Sequence, residues 1–191
     1  FIGKPLRREI GSTMLFGFIN GVAAVITFNI DRVFVNQYLS LSEVGIFGVC
    51  SLYATLIRIP YISISRIATG VIAEAWKRDD RDQIGEIYRK AALNQAIIGT
   101  LVFVGLLVNM DHVFEILPPE YKSGKWVLII YSAGMLVNTI FGLAANITET
   151  SRYFRFTTLF LGLSEFIQLG LSILLIPRFG ITGAAMATTY T

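Results

Sequence analysis

The chain has 191 residues, of which 54% are hydrophobic before its 17 glycines are counted and only 15% are charged. A soluble domain carries about 45–50% apolar residues with glycine included and about 25% charged ones, so the surplus apolar surface requires lipid. That balance excludes a disordered chain, a nucleic-acid module and most soluble enzymes. The formal charge of +3 names no partner until the basic residues are placed.

In chain order, Lys4, Arg7 and Arg8 precede a first apolar run at 10–30, which contains Asn20. No secretory signal pattern is present. A second run, 44–75, corresponds to about 48 Å of helix, longer than a straight crossing of a hydrocarbon core about 30 Å thick. Pro60 near its middle predicts a bend, because proline removes a backbone donor. Trp76 suits an interface, and the alternation of charge with Ile84, Ile87 and Tyr88 reads either as a short amphipathic surface helix or as a solvated loop.

A third run follows at 91–108. The stretch with Phe114 and Pro118-Pro119 then reads as a compact interfacial turn, in which His112, the one histidine, is surface decoration. Further runs lie at 126–146 and 156–176, and 181–191 opens a sixth that is too short to cross. A chain that begins at Phe1 and stops inside an apolar run is expected to be a segment of a longer one. Cys50, the one cysteine, rules out an intrachain disulfide.

Linker charge sets the orientation. Lys4, Arg7, Arg8, Lys77, Arg78, Arg81, Arg89, Lys90, Arg152 and Arg155 fall on one side, against Arg32, Lys122, Lys125 and Arg178 on the other. The positive-inside rule makes the first side, and the start of the chain, cytoplasmic.

Polar groups inside apolar runs point to protein or to a water-filled cavity. On a straight helix Ser51, Thr55, Arg58, Ser65, Arg66 and Thr69 fall within an arc of about 100°. Arg58 lies about 21 Å from the start of its run, too deep for the nearer interface, and with Arg66 makes a basic stripe suited to an anionic headgroup. The other reading is that Arg66 snorkels to phosphates while the hydroxyls bond backbone carbonyls.

In the fifth run Thr158, Gly162, Glu165, Gln168 and Ser172 share a face. Glu165, near mid-bilayer, either pairs with Arg58 or holds a proton. Gly134, Asn138 and Gly142, like Ala92, Ala96 and Thr100, form small-residue ridges for helix contact, and Asn138 either bonds across such a contact or faces the cavity. No arrangement supports a catalytic or metal site, and no cofactor is expected.

The stretch "IDRVFVNQYLSLSEVGIFGVC" with "IPYISISRIATGVIAEAWKRDD", "ILPPEYKSGKWVLIIYSAGMLVN" and "LLIPRFGITGAAMATTYT" resembles the polysaccharide-exporting flippases of the multidrug/oligosaccharidyl-lipid/polysaccharide exporter superfamily. Asp31, Val44-Gly45, Pro60 and the closing Ile176-Pro177, Gly180 and Gly183-Ala184-Ala185 carry the likeness, over nearly the whole chain. The resemblance implies an all-α polytopic transmembrane helix bundle: the second half of such a protein and most of one six-helix lobe of a two-lobe exporter.

It also implies a non-enzymatic flippase in the bacterial inner membrane. The substrate would be an undecaprenyl-diphosphate-linked oligosaccharide, moved by alternating access between the lobes. Expected partners are that lipid-linked oligosaccharide, membrane lipid, the missing N-terminal lobe and the polymerase or glycosyltransferases of the pathway, with no nucleic acid. The cavity would be lined by Ser51, Thr55, Arg58, Ser65, Arg66, Thr69, Asn138, Glu165 and Gln168. The rival readings are an ion-coupled drug or toxin antiporter of the same architecture, with Glu165 as coupling carboxylate, and a polytopic glycosyltransferase or ligase.

Overall fold

The computed structural model describes residues 32–151 and 154–190, together with isolated positions between 11 and 21. The expected span at 10–30, with Asn20, lies outside the described residues, as do Asp31, Arg152 and the side chains of Arg155 and Thr158. Among the described residues all regular structure is helical, with no strand.

Helix α1 (Leu41–Thr55) starts at Ser40, whose hydroxyl accepts the Glu43 N–H at 3.3 Å in a Ser-x-x-Glu start pattern. A 3₁₀ turn, Leu56–Arg58, leads into α2 (Ile59–Lys77), with Pro60 in its first turn. Because Pro60 offers no N–H to the Leu56 carbonyl, that carbonyl takes the Ile59 N–H instead, and the helix tightens where it breaks. The long second run is therefore two helices joined through Arg58.

α2 closes on a Schellman turn. The Asp80 N–H returns to the Ala75 carbonyl at 3.0 Å and the Asp79 N–H to that of Trp76 at 3.2 Å, with Asp79 at φ +53. Asp80 at once caps the next helix, α3 (Arg81–Val108), its carboxylate accepting the Gln83 N–H at 3.0 Å. The charged stretch after Asp80 is therefore neither a separate surface helix nor a loop. It forms the first turns of one 28-residue helix that continues through the third apolar run.

The remaining elements are α4 (Met110–Ile116), a 3₁₀ turn Pro119–Gly124, α5 (Lys125–Phe141), α6 (Leu143–Glu149), α7 (Phe154–Phe179) and α8 (Ile181–Tyr190). α5 is the hub, packed against α1, α3 and α8, while α7 lies on α8. At the α7–α8 hairpin Gly180 takes φ +60, and a Cβ on Gly183 would fall 2.3 Å from the Leu175 carbonyl oxygen. Glycine there lets one backbone rest on the other and buries Ala184, Ala185 and Ala187 completely.

Two apolar cores flank the break. The larger joins Phe47, Cys50, Ala54, Phe114, Leu128, Tyr131 and Ile176, with Tyr131 edge-on to Phe47 at 5.8 Å. The smaller, toward the basic end, comprises Ala68, Ile72, Ala75, Ile84, Ala91 and Leu143.

Outward from both cores, Leu93, Leu101 and Val108 on one side of α3 are 63%, 71% and 74% exposed, a stripe a soluble monomer would hide. Four stretches, Leu41–Lys77, Arg81–Val108, Pro119–Phe141 and Gly162–Phe179, are long and apolar enough to cross a membrane. The chain is an all-α, polytopic helix bundle with the surface of a membrane protein.

Candidate polar cavity at the helix break

The break between α1 and α2 sets Arg58 at the end of a helical turn, half-buried, where a continuous helix would have carried its side chain elsewhere around the axis. Its guanidinium lies over the Tyr61 ring, 5.7 Å from the centroid, and its buried Nε has no hydrogen-bond partner among the described residues. Arg58 lines a cavity of about 70 Å³ with Tyr131, Gly134, Met135, Asn138, Thr188 and Thr189. That is room for a few waters or one small oxyanion, not for a sugar.

Glycines on α5 and at its end let neighbouring helices approach closely beside this cavity. A Cβ on Gly134 would lie 2.6 Å from the Thr189 side chain, and one on Gly142 would lie 2.6 Å from the Asn138 carbonyl and 2.8 Å from the Tyr61 ring. The ridge thus serves two neighbours, α8 and α2, and leaves Asn138 between them facing the cavity. On α3 the buried ridge is Ala91, Gln95 and Gly99, whereas Thr100 is exposed and Ala92 and Ala96 are half-buried. The contact face is rotated by one residue, about 100°, from the Ala92–Ala96–Thr100 ridge read from the sequence.

The other expected cavity residues scatter. Ser51, Thr55, Ser65 and Thr69 each donate to their own helix, to the carbonyls of Gly48 (2.9 Å), Leu52 (2.6 Å), Ile62 (3.2 Å) and Ser65 (2.6 Å). Arg66 is exposed on the outside of the described bundle. Gln168 is buried on α7 and Glu165 half-buried one turn before it. Of the nine, Arg58 and Asn138 line this cavity together.

The sequence reading passed over four polar groups. Tyr61 Oη donates to Asn146 Oδ1 at 2.8 Å, and Asn146 Nδ2 donates to Thr69 Oγ1 at 3.1 Å, which ties α6 to α2 below the break. Gln95 and Ser132 are wholly buried, and both amide atoms of Gln95 and the Ser132 hydroxyl lack partners among the described residues. A signal existed for Tyr61 and Asn146: they stand three residues after Arg58 and four after Gly142, the helical neighbours of residues already singled out.

Thr139 completes the joint, donating to the Ile57 carbonyl at 3.3 Å inside the 3₁₀ turn. Together these groups form a polar layer around the break, with one cation facing a small cavity. Compared with protein-family models, curated proteins and solved structures, the chain matches none of them.

Proposed function

We propose that this chain is part of a membrane transporter that carries a lipid-linked, anionic oligosaccharide across the bacterial inner membrane, with Arg58 and Asn138 contacting the charged end of the substrate. One observation carries the reading: a guanidinium at the middle of a bent apolar stretch, its Nε buried without a hydrogen-bond partner among the described residues, on the wall of a small cavity. A cation held in an apolar span is costly and marks a substrate or ion path by default. The Asn138 amide adds a neutral hydrogen-bond donor on the same wall, as recognition of a phosphate oxygen requires.

The cavity takes only the charged group. The sugar would occupy space between this bundle and a second lobe, and the two would rock about the site. The same cation disfavours cationic drugs, which sets this reading above the antiporter, and transport rather than bond cleavage is the proposed activity. Arg58→Ala should abolish export of the lipid-linked sugar in cells while membrane insertion and protein level stay normal, with Arg58→Lys retaining part of it. Full export by Arg58→Ala would remove the assignment.

A further inference from the structure

A second hollow, sharing no lining residue with the cavity at Arg58, lies between α2 and α3 toward the basic end. It is a trough of about 320 Å³, within the range of about 300–1,000 Å³ that ligand sites occupy. Ala68 and Ala91 lie buried in it as a floor, and Ile64, Ile67, Val71 and Ile87 line it with hydrocarbon. It follows the helices for two turns, about 10 Å from Ile64 to Val71. An open, hydrocarbon-lined trough running along two apolar helices suits an acyl chain lying parallel to them.

One cation stands at the trough. Lys90 contributes to its lining, its ammonium 2.6 Å from Glu86 one turn nearer the helix start and well exposed. Arg89 stands beside it, exposed. A lysine stem follows apolar surface while its head reaches toward the interface, so Lys90 brings a positive charge to the headgroup end of an apolar chain site.

From this complementarity we infer that the α2–α3 trough binds an anionic phospholipid of the adjoining leaflet. One acyl chain lies over Ala68 and Ala91, and the phosphate is held by Lys90. Glu86 competes for the same ammonium, so it limits the affinity. The site is independent of the transport reading and of Arg58.

The test uses the purified, delipidated full chain in detergent. Phosphatidylglycerol or phosphatidylcholine of identical chains is added, and bound lipid is counted by native mass spectrometry. One phosphatidylglycerol should be retained with about fivefold preference, the increment expected of one basic side chain at a charged surface. Lys90→Gln should bring the two lipids to parity, and Glu86→Gln should widen the preference. Ala91→Phe, which fills the trough, should remove the retained lipid, while Leu101→Phe on the open face of α3 should change nothing.

Lys90 and Glu86 are exposed, so their variants read out binding without disturbing the core. Equal retention of the two lipids by the unaltered chain would overturn the inference. So would a preference that survives Lys90→Gln, or full competition by glycerol 3-phosphate, which carries the headgroup charge without a chain. If Ala91→Phe does not fold, Ala68→Leu makes the same test of the floor.

Discussion

The two apolar cores on either side of the break are built from different stock. The larger, around α1, α5 and α8, uses Phe47, Phe114, Leu128, Tyr131 and Ile176, and closes its gaps with glycine contacts tight enough to forbid a methyl group. The smaller has no buried aromatic ring and is half alanine, and its helices are further tied by the Tyr61–Asn146–Thr69 hydrogen bonds and flanked by an open trough. Dispersion and close packing hold the first; polar bonds share the work in the second. A membrane bundle gains little from hydrophobic exclusion between helices, so tight small-residue contact is what makes its larger core rigid.

If that contrast is right, the largest loss comes from the tightest contact in the larger core. Gly183→Ala sets a methyl group against the backbone of Leu175, which cannot rotate away as a side chain could. The α7–α8 hairpin must open, at a cost on the order of 3 kcal/mol or more. Thermal unfolding in detergent should show a markedly lower midpoint or poor recovery of folded protein. An unchanged midpoint would mean the hairpin does not depend on this approach.

Gln95 probes the polar layer with the opposite sign. Its amide is buried with neither end satisfied among the described residues, so Gln95→Leu, similar in size, should stabilise the fold by about 1–3 kcal/mol. A raised midpoint together with lost export would identify the layer as a place where stability has been given up for function. A lowered midpoint would show that the amide is satisfied in the membrane, most simply by water.

Much of this architecture was legible in the sequence and part was not. The four described spans follow from run length and composition, and Pro60 announced a break because its missing donor has a fixed consequence. The polar stripe did not survive as one face, because the arc was drawn on a straight helix. A 3₁₀ turn advances the chain by about 120° per residue instead of about 100°, so residues before and after it lose register. The hydroxyls follow the second of their two readings, bonding carbonyls of their own helix, so a serine or threonine marks a cavity only when a neighbour claims it. The ridge on α3 lies one residue away from the small-residue pattern because Gln95, buried at its centre, is not a small residue and breaks the pattern, although Gly99 one turn on packs close to Leu136.

A smaller effect tests the turn that joins α2 to α3 at the basic end. Asp79 occupies a left-handed conformation that glycine adopts without strain, and its carboxylate meets the exposed Arg81 at 3.4 Å. Asp79→Gly should therefore raise the unfolding midpoint slightly, by the equivalent of up to about 1 kcal/mol. The gain is modest because aspartate already tolerates this region better than most residues, and because the exposed ion pair contributes little. A loss instead of a gain would show that the pair, not the backbone, sets the turn.

The smallest effect sits at the far end, under the larger core. Asp111 on α4 accepts a hydrogen bond from Lys125 at the start of α5, and that bond, followed by the lysine charge, holds its carboxyl below the ordinary carboxylate range. A carboxyl whose folded pKa is depressed adds stability that is fully present above its unfolded value of about 3.9 and is lost as pH falls through the folded one. The pair is well exposed, so solvent screens it and the acid limb should be shallow, shrinking further with added salt. Asp111→Asn should flatten that limb below about pH 4 and leave the neutral-pH midpoint nearly unchanged. An identical acid limb in the variant would mean that glycine contact and aromatic packing hold this end without help from the ion pair, which would sharpen the contrast between the two cores.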